Sequence, residues 1–245
     1  MKKSTLYIST IFCILLLTSS EVKKYESLTK PIKLIYVYDA LCGWCYGFGP
    51  VINQIGNDYK DKVEIEILSG GMVLGDRIGP ISNMSEYVLS AIPILEEASG
   101  VTFGQAYIEL VKEGSYVSSS EKPSIALCVY KSFTSKNQIA YAHSIQKAFF
   151  IEARDINQDS VYANIATQFD LDKVEFLKRM QDTAYLNLAH AEFAKATKMG
   201  VTGYPTLLQK KENGYQVLCE GYVSYKALEK KINKAIKEEN KKGSI

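Results

Sequence analysis

Two cysteines with two residues between them, Cys42 and Cys45, stand in the stretch Tyr38-Asp39-Ala40-Leu41-Cys42-Gly43-Trp44-Cys45-Tyr46-Gly47-Phe48. Thiols so spaced can hold a metal, close a structural bridge or exchange disulfides. Tetrahedral zinc needs two further ligands at suitable spacing. No second Cys-x-x-Cys exists, and His143 and His190 stand alone in helix-like segments, so no metal site is expected. A bridge across so small a loop would constrain the unfolded chain little. Disulfide exchange is the favoured chemistry, and it needs no organic cofactor.

The flanking residues say how the thiols would be held. Leu34, Ile35, Tyr36, Val37 and Tyr38 form an apolar, β-like run of the kind that suits a buried central strand. A helix is expected next, from about Cys45 to Tyr59, with Val51, Ile52 and Ile55 on one face and Pro50 kinking it. A thiol at a helix start meets unpaired N–H groups and the positive end of the helix dipole. Both favour thiolate, so Cys42 is expected to titrate low and to attack disulfides, with Cys45 one turn deeper and able to resolve.

The chain has 245 residues, 47% hydrophobic and 23% charged, an ordinary soluble composition. Its first residues differ. Lys2 and Lys3 precede an apolar run from Leu6 to Leu17, then Thr18-Ser19-Ser20. This reads as a signal peptide over residues 1–20, too short to span a bilayer comfortably. Cys13 lies inside the apolar run behind bulky Phe12, which argues against acylation there. Cleavage near Ser20 removes Lys2 and Lys3 and takes the formal charge from +2 to 0. No basic surplus is left for nucleic acid. An exported, periplasmic or otherwise extracytoplasmic location with no lasting membrane span is expected, a compartment where disulfides persist.

Val63-Glu64-Ile65-Glu66-Ile67 alternates as a strand does, so strand, helix and strand make a βαβ unit with parallel pairing. Ser69-Gly70-Gly71-Met72 turns the chain. From about Ile81 to Met199 helix-like segments follow one another without a clear strand: Ser85–Ala98, Phe103–Glu113, Pro123–Phe133, Ile139–Ala153, Ser160–Gln168, Asp172–Asp182 and Tyr185–Met199. Asn83 or Ser85, Pro123, Asp159 and Asp170 are the expected starters, and Gly100 and Gly200 the expected stops. The β pattern returns with Gly203–Leu208, and Asn213-Gly214 marks a hairpin to Tyr215–Cys219. A last helix begins near Ser224, with Tyr225, Leu228, Ile232 and Ile236 on one face and a charged, fraying tail over Lys237–Lys242. The expected architecture is α/β, with a discontinuous domain at 31–80 and 200–240 and an inserted helical subdomain at 81–199.

This order of elements resembles a DsbA-like member of the thioredoxin superfamily, in the branch of the FrnE-type proteins and predicted protein-disulfide isomerases. The resemblance rests on Asp39-x-x-Cys42-Gly43-Trp44-Cys45-Tyr46-Gly47-Phe48, on Gly70-Gly71-Met72 and on Gly200-Val201-Thr202-Gly203-Tyr204-Pro205-Thr206. It implies a thioredoxin-like fold with the helical insertion as a lid over the dithiol. It also implies catalysis by Cys42 and Cys45, and a cis Pro205 that exposes the Tyr204 backbone to substrate. Base rates alone would make Pro205 a trans turn residue. The family's buried acid, six residues before the first cysteine, is Tyr36 here. Asp39 either substitutes for it or serves as a strand-end turn or cap residue. Gly43-Trp44 departs from the Pro-His of the strongly oxidising DsbA type, so strong oxidising power does not carry over. Trp44 either stands exposed for unfolded substrates or packs on the helical cap.

Cys128 and Cys219 read as buried free thiols, with a second disulfide the alternative. The expected partners are proteins with cysteines or disulfides and a redox partner that resets the dithiol. Three rivals stand beside this: a glutathione-dependent isomerase or transferase of the same fold, a chaperone-like binding module, and a metal-binding module. The first typically uses a serine or a single reactive group, which the paired cysteines disfavour.

Overall fold

A computed structural model describes residues 30–242; the proposed leader and Cys13 lie outside the described residues. The apolar run forms β1 (Ile32–Tyr38) and the cysteine stretch opens α1 (Gly43–Asp58). β2 (Val63–Ser69) returns parallel to β1, with Tyr36 opposite Ile67 and Tyr38 opposite Ser69. β5 (Thr206–Lys211) lies antiparallel on the other side of β1, and β6 (Gly214–Glu220) pairs with β5 through the Asn213-Gly214 hairpin. The sheet order is β2-β1-β5-β6, so β1 is an inner strand buried on both faces.

Side chains alternate across a strand, and β1 uses both sets. Leu34, Tyr36 and Tyr38 join the core that contains Cys45, Phe48 and Ile52 of α1. Ile35 and Val37 join Leu68, Leu208 and Ala196 in a smaller cluster on the other face. Ala196 belongs to α8 (Thr183–Lys198), which packs on β2, while α9 (Tyr225–Lys242) packs beside α1 across β1 and β6.

Between β2 and β5 run α2 (Ser85–Ser99), α3 (Gln105–Glu113), α4 (Glu121–Phe133), α5 (Gln138–Phe150), α6 (Asp159–Ala166), α7 (Lys173–Met180) and α8. The stretch is not free of strand: β3 (Gly79–Pro80) pairs antiparallel with β4 (Val117–Ser118). Two residues each are too few to show a period in sequence. Three expected starters behave otherwise. The Ser85 hydroxyl donates back to the carbonyls of Ile81 and Val111 instead of capping α2. Asp159 sits inside the first turn of α6, paired with Lys122. Asp170 takes a left-handed conformation, and Asp172 caps α7 by accepting from Glu175 N at 2.7 Å. Gly100 and Gly200 follow α2 and α8 with positive φ, as the stops require. β5 starts at Thr206, since residues 203–205 form a loop closed by Thr206 Oγ1 on the Gly203 carbonyl. The tail over 237–242 is helical, and Glu239 pairs with Lys211 at 3.1 Å. Among the described residues, no helix is long and apolar enough to cross a membrane.

α1 is gripped by the helices above it. Leu95 of α2 comes so near that a Cβ at Gly43 would stand 2.9 Å from its Cδ1, and one at Gly47 would meet Leu95 and Ser99. On another side of α1, His143 of α5 stacks on Tyr46 at 5.4 Å and presses on Gly49. Its Nδ1 is buried without a partner, and burial, with Lys147 nearby, lowers the imidazole to about 4. The unfolded chain then binds a proton that the folded chain refuses, so stability is lost as pH falls from the ordinary histidine value toward 4. Urea titrations should show a loss of up to about 3 kcal/mol across that window, absent in His143→Phe. Parallel profiles for the two proteins would contradict this.

Candidate active site

Cys42 is the N-cap of α1. Its Sγ accepts the Cys45 N–H at 3.3 Å, and its thiol lies 3.5 Å from the Tyr204 carbonyl, to which it donates. This is why α1 begins at Gly43, two residues before the expected start. Cys42 is 6% exposed and Cys45 fully buried; both are free thiols. Burial, followed by the adjoining Cys42 sulfur, pushes the Cys45 thiol well above its ordinary value. The two thiols are therefore unequal: Cys42 keeps a little exposure and Cys45 has none.

Asp39 holds the loop that presents them. It is 2% exposed. One carboxylate oxygen accepts from Leu41 N at 2.9 Å and the Ser120 hydroxyl at 3.0 Å; the other accepts from Met72 N at 2.7 Å. Its carbonyl accepts from Cys42 N and from the Gln146 side-chain amide, both at 3.2 Å. Burial raises the carboxyl against the opposing pull of the hydrogen bonds from Met72, Leu41 and Ser120. Asp39 combines features of the two sequence alternatives: it receives a turn N–H as a strand-end residue does, and it is a buried acid whose charge acts on Cys45. Ser120 and Gln146 were missed. Ser120 looks like an ordinary residue before a helix, but a lone Gln on the apolar face of α5, beside Ile145 and Phe149, is a signal of buried polar work.

The three sequence motifs meet here. The Tyr204–Pro205 peptide bond is cis. The Tyr204 hydroxyl donates to the Gly70 carbonyl at 2.7 Å, with its ring close against that glycine. A Cβ at Gly70 would fall 2.0 Å from the ring, so only glycine admits Tyr204 there. Trp44 is half-buried, its ring 6.1 Å from that of Tyr222 just after β6. It is thus not fully exposed: it packs against the main core, and the chain leaving β6 passes beside it. Gly43 gives Leu95 its close approach. Cys128 and Cys219 are buried free thiols, raised by burial to about 12 and about 11. No cluster of three metal-ligating side chains occurs among the described residues.

A family model described as thioredoxin matches residues 36–230. The chain belongs to the thioredoxin family. Its helical insertion makes it DsbA-like, as solved structures of similar fold agree. A proposed protein disulfide isomerase from Nitrosomonas europaea matches with a TM-score of 0.75 at 19% identity, over 85% of this chain and 99% of that one. The cytosolic disulfide reductase DsbM from Pseudomonas aeruginosa matches with a TM-score of 0.66 at 25% identity, over 76% and 89%. The oxidoreductase DsbA from Xylella fastidiosa matches with a TM-score of 0.54 at 11% identity, over 87% and 89%. No curated protein sequence matches the chain.

Asp39→Ala would strand three donors in this family member's core. Leaving buried donors unpaired costs about 1–3 kcal/mol each, offset in part by losing a desolvated carboxyl, so a net loss of about 2–4 kcal/mol is expected in urea unfolding. An unchanged midpoint and slope would show that the three contacts do not hold the loop.

Proposed function

We propose that the chain is a thiol–disulfide oxidoreductase acting on other proteins through Cys42 and Cys45. The observation that carries this reading is the unequal pair at the α1 N-terminus, with Cys42 against the Tyr204 carbonyl and Cys45 fully buried. Family membership supports the reaction class. Location outside the cytoplasm belongs to the same proposal and rests on the leader-like residues 1–20; a redox partner there would reset the dithiol.

In the reducing or isomerising direction, the Cys42 thiolate attacks one sulfur of a substrate disulfide. A bond forms between Cys42 and that sulfur, and the other substrate sulfur leaves as a thiolate. Cys45 then loses its proton and attacks the Cys42 sulfur. The enzyme disulfide forms, and the second substrate sulfur leaves and takes up the proton. In reduction two electrons have passed to the substrate; in isomerisation a second substrate thiolate displaces Cys42 instead, and no net electrons pass. The oxidising direction is the reverse of reduction. Gly43, Trp44 and Asp39 shape the loop, and the Tyr204 backbone beside Pro205 is the proposed contact for the substrate chain.

Cys42→Ser should abolish reduction of a disulfide-bonded protein such as insulin, whereas Cys45→Ser should accumulate mixed disulfides visible on non-reducing gels. Failure to recover any adduct from Cys45→Ser would count against the mechanism. Suppression of aggregation undiminished in Cys42→Ser, with no turnover in the wild type, would favour a binding module instead.

A further inference from the structure

The proposed mechanism needs a thiolate at Cys45, the place where the fold makes one hardest to form. Cys45 is fully buried and held well above its ordinary value by that burial. The titratable groups acting on it or acted on by it are Cys42 on α1, Tyr36, Tyr38 and Asp39 at the end of β1, and Tyr204 before β5. Asp39 already accepts from three donors. The Tyr204 hydroxyl is engaged by the Gly70 carbonyl. Tyr38 is acted on by Asp39 and Glu192 ahead of Cys45, and then by Cys128.

Tyr36 differs from these in having the two cysteines as its foremost titratable neighbours. It is 2% exposed, on the β1 face that packs against α1, with its ring 5.6 Å from that of Phe48. Its hydroxyl, like that of Tyr38, is buried without a hydrogen-bond partner. The titratable side chains bearing on it most strongly are Cys45 and then Cys42, and all three share one buried cluster. A buried hydroxyl without a partner is costly. It gains one if the neighbouring sulfur becomes an anion.

We propose that Tyr36 is a catalytic residue of the resolving step, its hydroxyl donating a hydrogen bond to the Cys45 thiolate as Cys45 attacks the mixed disulfide at Cys42. The proposal rests on the oxidoreductase reading and deepens it. The hydroxyl keeps its own proton throughout: burial, then the two cysteines, raise its titration well above the ordinary tyrosine value. It serves as a donor to a forming anion and not as a base. A neutral group thereby stands where the family pattern has an acid.

The test uses the reduced full-length chain mixed rapidly with 5,5′-dithiobis(2-nitrobenzoate). Cys42 thiolate attack forms the Cys42–thionitrobenzoate disulfide and releases one thionitrobenzoate. Attack by Cys45 then forms the Cys42–Cys45 disulfide and releases the second, while the Cys45 proton passes to solvent. Hydrogen bonds to charged groups are strong enough to move a thiol by about one to two pKa units. The higher nucleophilicity of a more basic thiolate returns about half of that in rate. The second release in Tyr36→Phe should therefore be roughly three- to tenfold slower at neutral pH. The deficit should shrink as pH rises, and the first release should be unchanged. Tyr38→Phe should match the wild type.

Superimposable second-phase pH profiles for wild type and Tyr36→Phe would overturn the proposal and leave the oxidoreductase reading standing. A wild type that releases no second thionitrobenzoate would remove that reading and the proposal with it. Thermal unfolding supplies an independent arm, because Tyr36→Phe deletes a hydroxyl without a structural partner and should melt at or above the wild type. A variant that melts well below the wild type would show the hydroxyl to be structural and overturn the assignment.

Discussion

The site depends on one buried carboxyl. Asp39 takes hydrogen bonds from the loop after β1, from the turn after β2 and from the residue before α4. The last two donors lie 33 and 81 residues away in sequence from Asp39. Ser120 doubles the connection, since its hydroxyl also accepts from Val73 N at 2.9 Å. Burying a carboxyl is unfavourable unless its oxygens are satisfied, and here the partners come from the parts that must be held together. The cysteine loop is fixed at the same point where the helical segment joins the sheet.

From that anchor the rest follows by packing. Two glycines one turn apart, Gly43 and Gly47, let α2 press its Leu95 onto the first turn of α1. Phe103, Tyr107 and Phe150 extend that contact into an aromatic cluster reaching Tyr46. On the other side of the dithiol, Tyr204 reaches across Gly70 and brings its own carbonyl to Cys42. Cys45 is sealed between these layers while Cys42 keeps slight exposure. The asymmetry that the proposed chemistry requires is thus a result of how helices and loop pack, and no ion or cofactor is invoked to produce it.

Much of this was legible in sequence for identifiable reasons. β1, α1 and β2 announce themselves by local periodicity, and the hairpin by Asn213-Gly214. The helical run from α2 to α8 was readable because each helix carries its own apolar stripe. What escaped was tertiary. β3 and β4 are too short to carry a pattern. Asp39 has no local mark that separates a turn acid from a sealed one; its partners Met72 and Ser120 are known only once the chain is folded. Trp44 was hard to place because its neighbour, Tyr222, arrives from almost the other end of the chain. The caps of α2, α6 and α7 were misplaced because Ser85, Asp159 and Asp170 each found a different use for the same polar side chain.

The central claim is that Cys42 and Cys45 form a two-electron redox couple. Trp44 lies between them, is the chain's one tryptophan and packs on Tyr222, so its fluorescence should report their state. Equilibration in glutathione buffers should give a single transition with the two-electron slope, close to 30 mV per tenfold change, and Cys42→Ser should remove it. A wild-type protein whose fluorescence and thiol content stay constant across the whole range of buffers would contradict the account.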